Sequence, residues 1–164
     1  MRKPDSRQPI VAVCGAGRCG PDLAALAESV GRGLAEAGAL LVCGGQGGVM
    51  AAACQGARLA GGTTVGLLPG LDRDEANPDV LIPIATGLGE GRNLLIVRAA
   101  DAVIAIGGEY GTLSEIALAR KLGKLVVGLR TWELGAGEDG RPHILPAATP
   151  AEAVALALGG VTQP

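Results

Sequence analysis

The chain of 164 residues contains no phenylalanine, one tryptophan and one tyrosine. Aromatic stacking platforms are therefore scarce, and a formal net charge of −2 leaves no broad basic surface for a polyanion. Both absences argue against nucleic-acid binding. Lysine is confined to Lys3, Lys121 and Lys124. The latter two flank Gly123, where cations favour a helix end, so they read as structural rather than as Schiff-base nucleophiles. Cys14, Cys19, Cys43 and Cys54 form no C-x-x-C pair, and the one histidine, His143, lies far along the chain. No zinc or other metal site is expected from that spacing. Cys14 and Cys43 read instead as small, reduced, buried residues at strand ends.

A membrane span is also missing. The uncharged stretch 39–57 is long enough to raise the question. Gln46, Gln55 and the cluster Gly44-Gly45-Gln46-Gly47-Gly48 make it strand, loop and helix instead. The polar N-terminus leads into only a short apolar run, 10–14, without the pattern of a signal peptide. The cytoplasm is the expected location.

What the chain has is glycine, 28 residues of it, and a core that must be assembled from Ala, Val, Leu and Ile. Its length suits one domain over 1–164 with a substantial buried interior. Apolar runs predict strands over 10–14, 39–43, 63–68, 82–86, 102–106 and 125–129. Helical patterns alternate with them over 22–37, 49–60, 92–100 and 112–122. A last helix opens at Thr149-Pro150, with Glu152 completing a capping box. The polar loop 72–79 breaks the rhythm, and 131–148, rich in Gly and Pro, reads as a flexible excursion. Strands separated by such helices imply parallel pairing with right-handed crossovers. Runs apolar at every position imply that both sheet faces are covered. The expected fold class is α/β, a Rossmann-like three-layer sandwich with a mainly parallel sheet.

In such a sheet, ligands bind beyond the carboxyl ends of the strands, near the point where strand order reverses. Three glycine-bearing loops fall at strand ends. The first, Cys14-Gly15-Ala16-Gly17-Arg18-Cys19-Gly20, has G-x-G but lacks the third glycine of the dinucleotide fingerprint. The second is Gly44-Gly45-Gln46-Gly47-Gly48, and the third Gly107-Gly108-Glu109-Tyr110-Gly111-Thr112. None ends in the G-K-[ST] of a P-loop. Glycine turns let backbone N–H groups approach a phosphate, and a following helix adds partial positive charge. Together the loops predict a site for a phosphate-sized anion and a small phosphorylated ligand. Arg92 could grip that phosphate in fork geometry, and Asn93 could hydrogen-bond a sugar or base. The plainer alternative is a solvated helix-start arginine paired with Glu90. Glu115 either faces the ligand or closes a Thr112-x-x-Glu115 capping box that needs none. The residues leave both readings open.

The motifs Val42-Cys43-Gly44-Gly45-Gln46-Gly47-Gly48-Val49-Met50, 87–93 and 107–115 resemble the Lonely-Guy-type superfamily, often labelled "possible lysine decarboxylase". The resemblance runs from Ile10 to about Leu129, and the run 60–70 is most similar to the branch of molybdenum cofactor carrier proteins. It implies a binding or carrier protein for a phosphorylated pterin or nucleotide-like ligand. The molybdenum cofactor would be the cargo, and no further cofactor is required. The loops at 44–48 and 107–112, with Arg92, would hold the phosphate. The enzyme branch implies the alternative, hydrolysis of nucleoside 5′-monophosphates, cytokinin forms included, to free base and ribose 5-phosphate. Arg92 and Glu115 would then be catalytic. From that branch the chain departs twice: Asn93 stands where a lysine is usual, and Gly107-Gly108-Glu109 replaces Pro-Gly-Gly. The resemblance also implies a homodimer or homotetramer. Lysine decarboxylation finds no support in the three lysines present.

Overall fold

The computed structural model describes residues 7–161, so most of the polar N-terminus read above for a leader sequence, Lys3 included, lies outside the described residues. Strands and helices alternate from the start: β1 (Ile10–Gly15), α1 (Pro21–Glu36), β2 (Leu40–Cys43), α2 (Val49–Leu59) and β3 (Thr64–Leu68). A loop with one 3-10 turn (Arg73–Glu75) leads to β4 (Ile82–Ala85), and a second (Gly89–Gly91) runs directly into α3 (Arg92–Ala99). Then follow β5 (Ala102–Ile106), α4 (Tyr110–Lys121), β6 (Leu125–Leu129), β7 (Leu145–Pro146) and α5 (Pro150–Val161).

All seven strands form one sheet, in the order β4-β3-β2-β1-β5-β6-β7. Every neighbouring pair is parallel. The chain therefore builds outward from β1 to β4, crosses back to β5 on the other flank of β1, and continues outward. Strand order reverses between β1 and β5, where Gly15 sits beside Ile106.

The two faces follow from the two-residue period of a strand. Val11 and Val13 of β1 pack with α1, α2 and α5, through Val30, Leu34, Ala53 and Ala157. Ala12 and Cys14 face α3 and α4, through Ile96, Val97, Ile116 and Ala119. With neither aromatic ring fully buried, the largest fully buried side chains are leucines and isoleucines. Lys124 is structural as expected: its ammonium donates to the carbonyls of Arg98 and Ala100, tying the end of α3 to the start of β6. The α5 cap also forms. The Glu152 N–H donates to Thr149 Oγ1 at 3.1 Å, but the Glu152 carboxylate reaches the N–H of Ala148, one residue before the cap.

Two segments differ from expectation. Helix α4 begins at Tyr110, two residues before the predicted start, with extended Glu109 as its N-cap. Gly107 and Gly108, at φ 54° and 119°, have already turned the chain out of β5, so the helix can start at once. Thr112 is therefore inside the helix, and the Thr112-x-x-Glu115 capping box does not exist. The excursion after β6 is also more than a flexible loop. It returns to add β7 to the sheet edge, where a proline at position 146 removes no ladder bond the fold needs.

Candidate functional site

Because every strand points the same way, the loops after β1, β2, β3 and β5 emerge on one edge, astride the reversal point. The first two are tied directly: the Val49 N–H at the start of α2 donates to the Ala16 carbonyl at 3.1 Å. Between these loops lies a cavity of about 320 Å³. Gly15, Ala16 and Gly17 form one side of it, Gln46 and Met50 another, and Pro69 closes the β3 end. Glu90, Arg92 and Asn93 enter from the start of α3, and Glu109, Gly111, Thr112 and Glu115 from the start of α4.

Arg92 is buried, only 8% exposed, so the reading of a solvated helix-start arginine is overturned. Its Nη2 donates to Gln46 Oε1 at 3.1 Å and, at 3.5 Å, to the carbonyl of Gly44. Its Nη1 donates to Asn93 Oδ1. Nε is buried and has no hydrogen-bond partner among the described residues. Glu90 shares the cavity wall but does not pair with it. Gly44 makes room for this arrangement, since a Cβ there would come within 2.7 Å of Nη2.

Asn93 lines the cavity and is also hydrogen-bonded within the protein. Its Oδ1 receives Arg92, and its Nδ2 donates to Ser114 Oγ at 3.1 Å. Ser114 Oγ in turn donates to the Gly111 carbonyl at 2.7 Å. The amide thus fixes Arg92 relative to the start of α4.

Glu115 lies in the second turn of α4 and is 7% exposed. Burial raises its pKa from 4.5 to about 7, against the opposing pull of the Arg92 guanidinium and a hydrogen bond from the Cys14 thiol. Cys14 is itself pushed up, first by burial and then by the neighbouring carboxylate. Cys43 and Cys54 lie together behind the second loop, Sγ to Sγ 3.5 Å, as free thiols. No cluster of metal-ligating side chains occurs among the described residues, and no helix there is long and apolar enough to cross a membrane.

Of the residues predicted from sequence, Gly15, Ala16, Gly17, Gln46, Arg92, Asn93, Gly111, Thr112 and Glu115 meet at the cavity. The others support it from outside. Gly45 turns at φ 73° behind the second loop, and Gly48 is the N-cap of α2 at φ 61°. Gly47 lines an adjoining hollow with Arg18, Gly107 and Gly108 form the turn after β5, and Tyr110 is exposed. Sequence reasoning placed neither Met50, Pro69, Glu90 nor Glu109 on the wall. Position was the available signal for three of them. Met50 follows the second loop on the same helix, Pro69 ends β3, and Glu109 lies inside the third loop.

The cavity thus lies at the strand-order reversal of a Rossmann-like parallel sheet. The chain belongs to the SLOG cluster4 family, whose model matches residues 8–154. An uncharacterized protein of Archaeoglobus fulgidus is 46% identical over 120 residues, 73% of this chain and 79% of that protein. Among solved structures, the molybdenum cofactor binding protein of the phototrophic bacterium Rippkaea orientalis superposes with a TM-score of 0.87 at 37% identity, over 96% of this chain and 99% of that one. The molybdenum cofactor carrier protein of Chlamydomonas reinhardtii gives a TM-score of 0.86 at 34% identity, over 95% of this chain and 100% of that one.

Proposed function

We propose that this protein binds and carries a phosphorylated pterin, the molybdenum cofactor being its cargo. The observation that carries the reading is Arg92. A guanidinium buried on a cavity wall is costly unless its charge is met. Here its partners are an amide, a second amide and a carbonyl, none of which neutralises it. No carboxylate of the described residues lies within ion-pair distance. Its unneutralised charge and the glycine-lined loops opposite suit the phosphate of a ligand small enough for the cavity. The near full-length likeness to a cofactor carrier and a cofactor-binding protein supports the pterin as what that phosphate bears. Ile82 and Ile84, exposed on edge strand β4, support self-association as a dimer or tetramer within the same reading.

The test is equilibrium binding of molybdenum cofactor released anaerobically from a molybdoenzyme, with Arg92→Gln in parallel. Losing a charged hydrogen-bond donor to the phosphate is expected to weaken binding on the order of ten- to a hundredfold. Equal affinities for the two proteins would refute the assignment.

Glu115 favours a second reading, because its carboxyl lines the same cavity beside Arg92. A nucleoside 5′-monophosphate held by Arg92 would place its glycosidic bond near a carboxylate able to stabilise an oxocarbenium-like ribose. Base release from a panel of nucleoside monophosphates, cytokinin forms included, decides it by chromatography. Turnover that Glu115→Gln abolishes would establish a phosphoribohydrolase, and no turnover by folded protein leaves the carrier.

A further inference from the structure

The two aromatic rings of the chain, Tyr110 and Trp132, meet in the fold. Their centroids are 5.8 Å apart with ring planes at 40°. With phenylalanine absent, this contact uses the entire aromatic content of the protein. Core packing accounts for Trp132, which is partly buried against the α3 and α4 face, but not for Tyr110, which is 80% exposed.

The location is informative. Tyr110 opens α4 between Glu109 and Gly111, both of which line the Arg92 cavity. The Trp132 indole N–H donates to the backbone carbonyl of Glu109 at 3.3 Å. One residue earlier, the Thr131 hydroxyl donates to the carbonyl of Gly107. The segment after β6 is thus fastened to the third glycine loop, and it brings the indole up behind the tyrosine ring. Trp132 also borders a further hollow of about 550 Å³, with Thr131 and Ile144 among its walls. An exposed ring flanked in the chain by two cavity-lining residues, with a second ring beside it, is a surface for offset stacking. Flat heterocycles of many kinds accept it, since each presents a π-face.

We propose that Tyr110, braced by Trp132, is the shelf on which the flat heterocycle of the ligand stacks while the Arg92 cavity holds its phosphate. This rests on the anion-site reading above and adds which residues recognise the ring. Nothing in the sequence spacing of the two aromatics foretells their contact. The competing explanation is that the pair only clips the segment after β6 in place.

The experiment measures dissociation constants by calorimetry for three probes: molybdenum cofactor, GMP and ribose 5-phosphate. The proteins are the wild type, Tyr110→Ala and Tyr110→Phe, each checked for an unchanged thermal midpoint. Wild type is expected to prefer the ring-bearing probes to ribose 5-phosphate. Tyr110→Ala is expected to shrink that preference by about tenfold, and Tyr110→Phe to retain it. Trp132, the sole tryptophan, gives a second readout through its emission. An undiminished preference in Tyr110→Ala overturns the shelf. So does a wild type that binds all three probes alike, which leaves the anion site standing. Binding of none of the three by wild type overturns the anion site itself, and the shelf with it.

Discussion

Glu115→Gln is expected to stabilise the folded protein by about 3 kcal/mol at pH 8 and to change nothing at pH 4. The carboxyl has a pKa of about 7 in the fold, against an ordinary 4.5, chiefly because it is buried. Between those values the native state holds a proton that the unfolded chain releases, so stability falls as pH rises through that window. Above about 7 the carboxylate is ionised in both states and the full penalty remains. Below 4.5 the carboxyl is neutral in both, and glutamine, its neutral isostere, gains nothing. Urea unfolding of both proteins at pH 4, 6 and 8 reads the difference directly. Wild-type stability that is flat across this window, or a variant no more stable at pH 8, would sink the account.

The same titration bears on the ligand. Glu90, Glu109 and Glu115 share the cavity wall with a single cation, Arg92. An anionic phosphate enters more readily when Glu115 is protonated, so wild-type affinity should fall as pH rises from 6.5 to 8.5. Glu115→Gln should flatten that profile and bind at least as tightly at pH 8. Phosphate esters have their second pKa at about 6, so most of that ionisation is over by the start of this range. The remainder strengthens rather than weakens binding to Arg92 as pH rises. A carrier therefore tolerates the substitution, whereas a hydrolase loses its chemistry. Glu115 has no capping role, because α4 begins at Tyr110.

The sheet was legible in the sequence because both of its signals are local. Apolar runs such as 102–106 and 125–129 match β5 and β6 to the residue, since a strand buried on both faces admits little else. Parallel order followed from the intervening helices. The site was legible as loops at strand ends, and nine of the named residues do line the cavity. What stayed hidden depended on the third dimension. Whether Arg92 is solvated or buried turns on Gly44 and Gln46, far away in sequence. The bond from Asn93 to Ser114 joins α3 to α4. The α4 start shifted because Gly107 and Gly108 complete the turn earlier than helical periodicity alone shows. β7 was missed because two residues ending in proline carry no strand pattern.

Gly31→Val is expected to cost about 3 kcal/mol of stability or more, and even Gly31→Ala to destabilise. On a free helix surface the alanine change would stabilise by about 1 kcal/mol. Here α1 and α2 lie backbone against backbone. A Cβ at Gly31 would collide with the carbonyl of Ala53, and one at Gly56 with the carbonyl of Glu28. Carbonyls fixed in helices cannot swing aside, so the helices must separate. That separation reaches the site, because α1 follows the first glycine loop and α2 the second, and Val49 bonds them through Ala16. Gly31→Val should therefore weaken phosphate-ligand binding as well as lowering the thermal midpoint, although it touches no ligand. A double-mutant cycle with Gly31→Ala and Gly56→Ala makes the cause explicit. Once one methyl has pushed the helices apart the second meets less resistance, so the combined cost should be less than the sum. Strict additivity, or a stabilising Gly31→Ala, would mean that the glycines serve something other than this close approach.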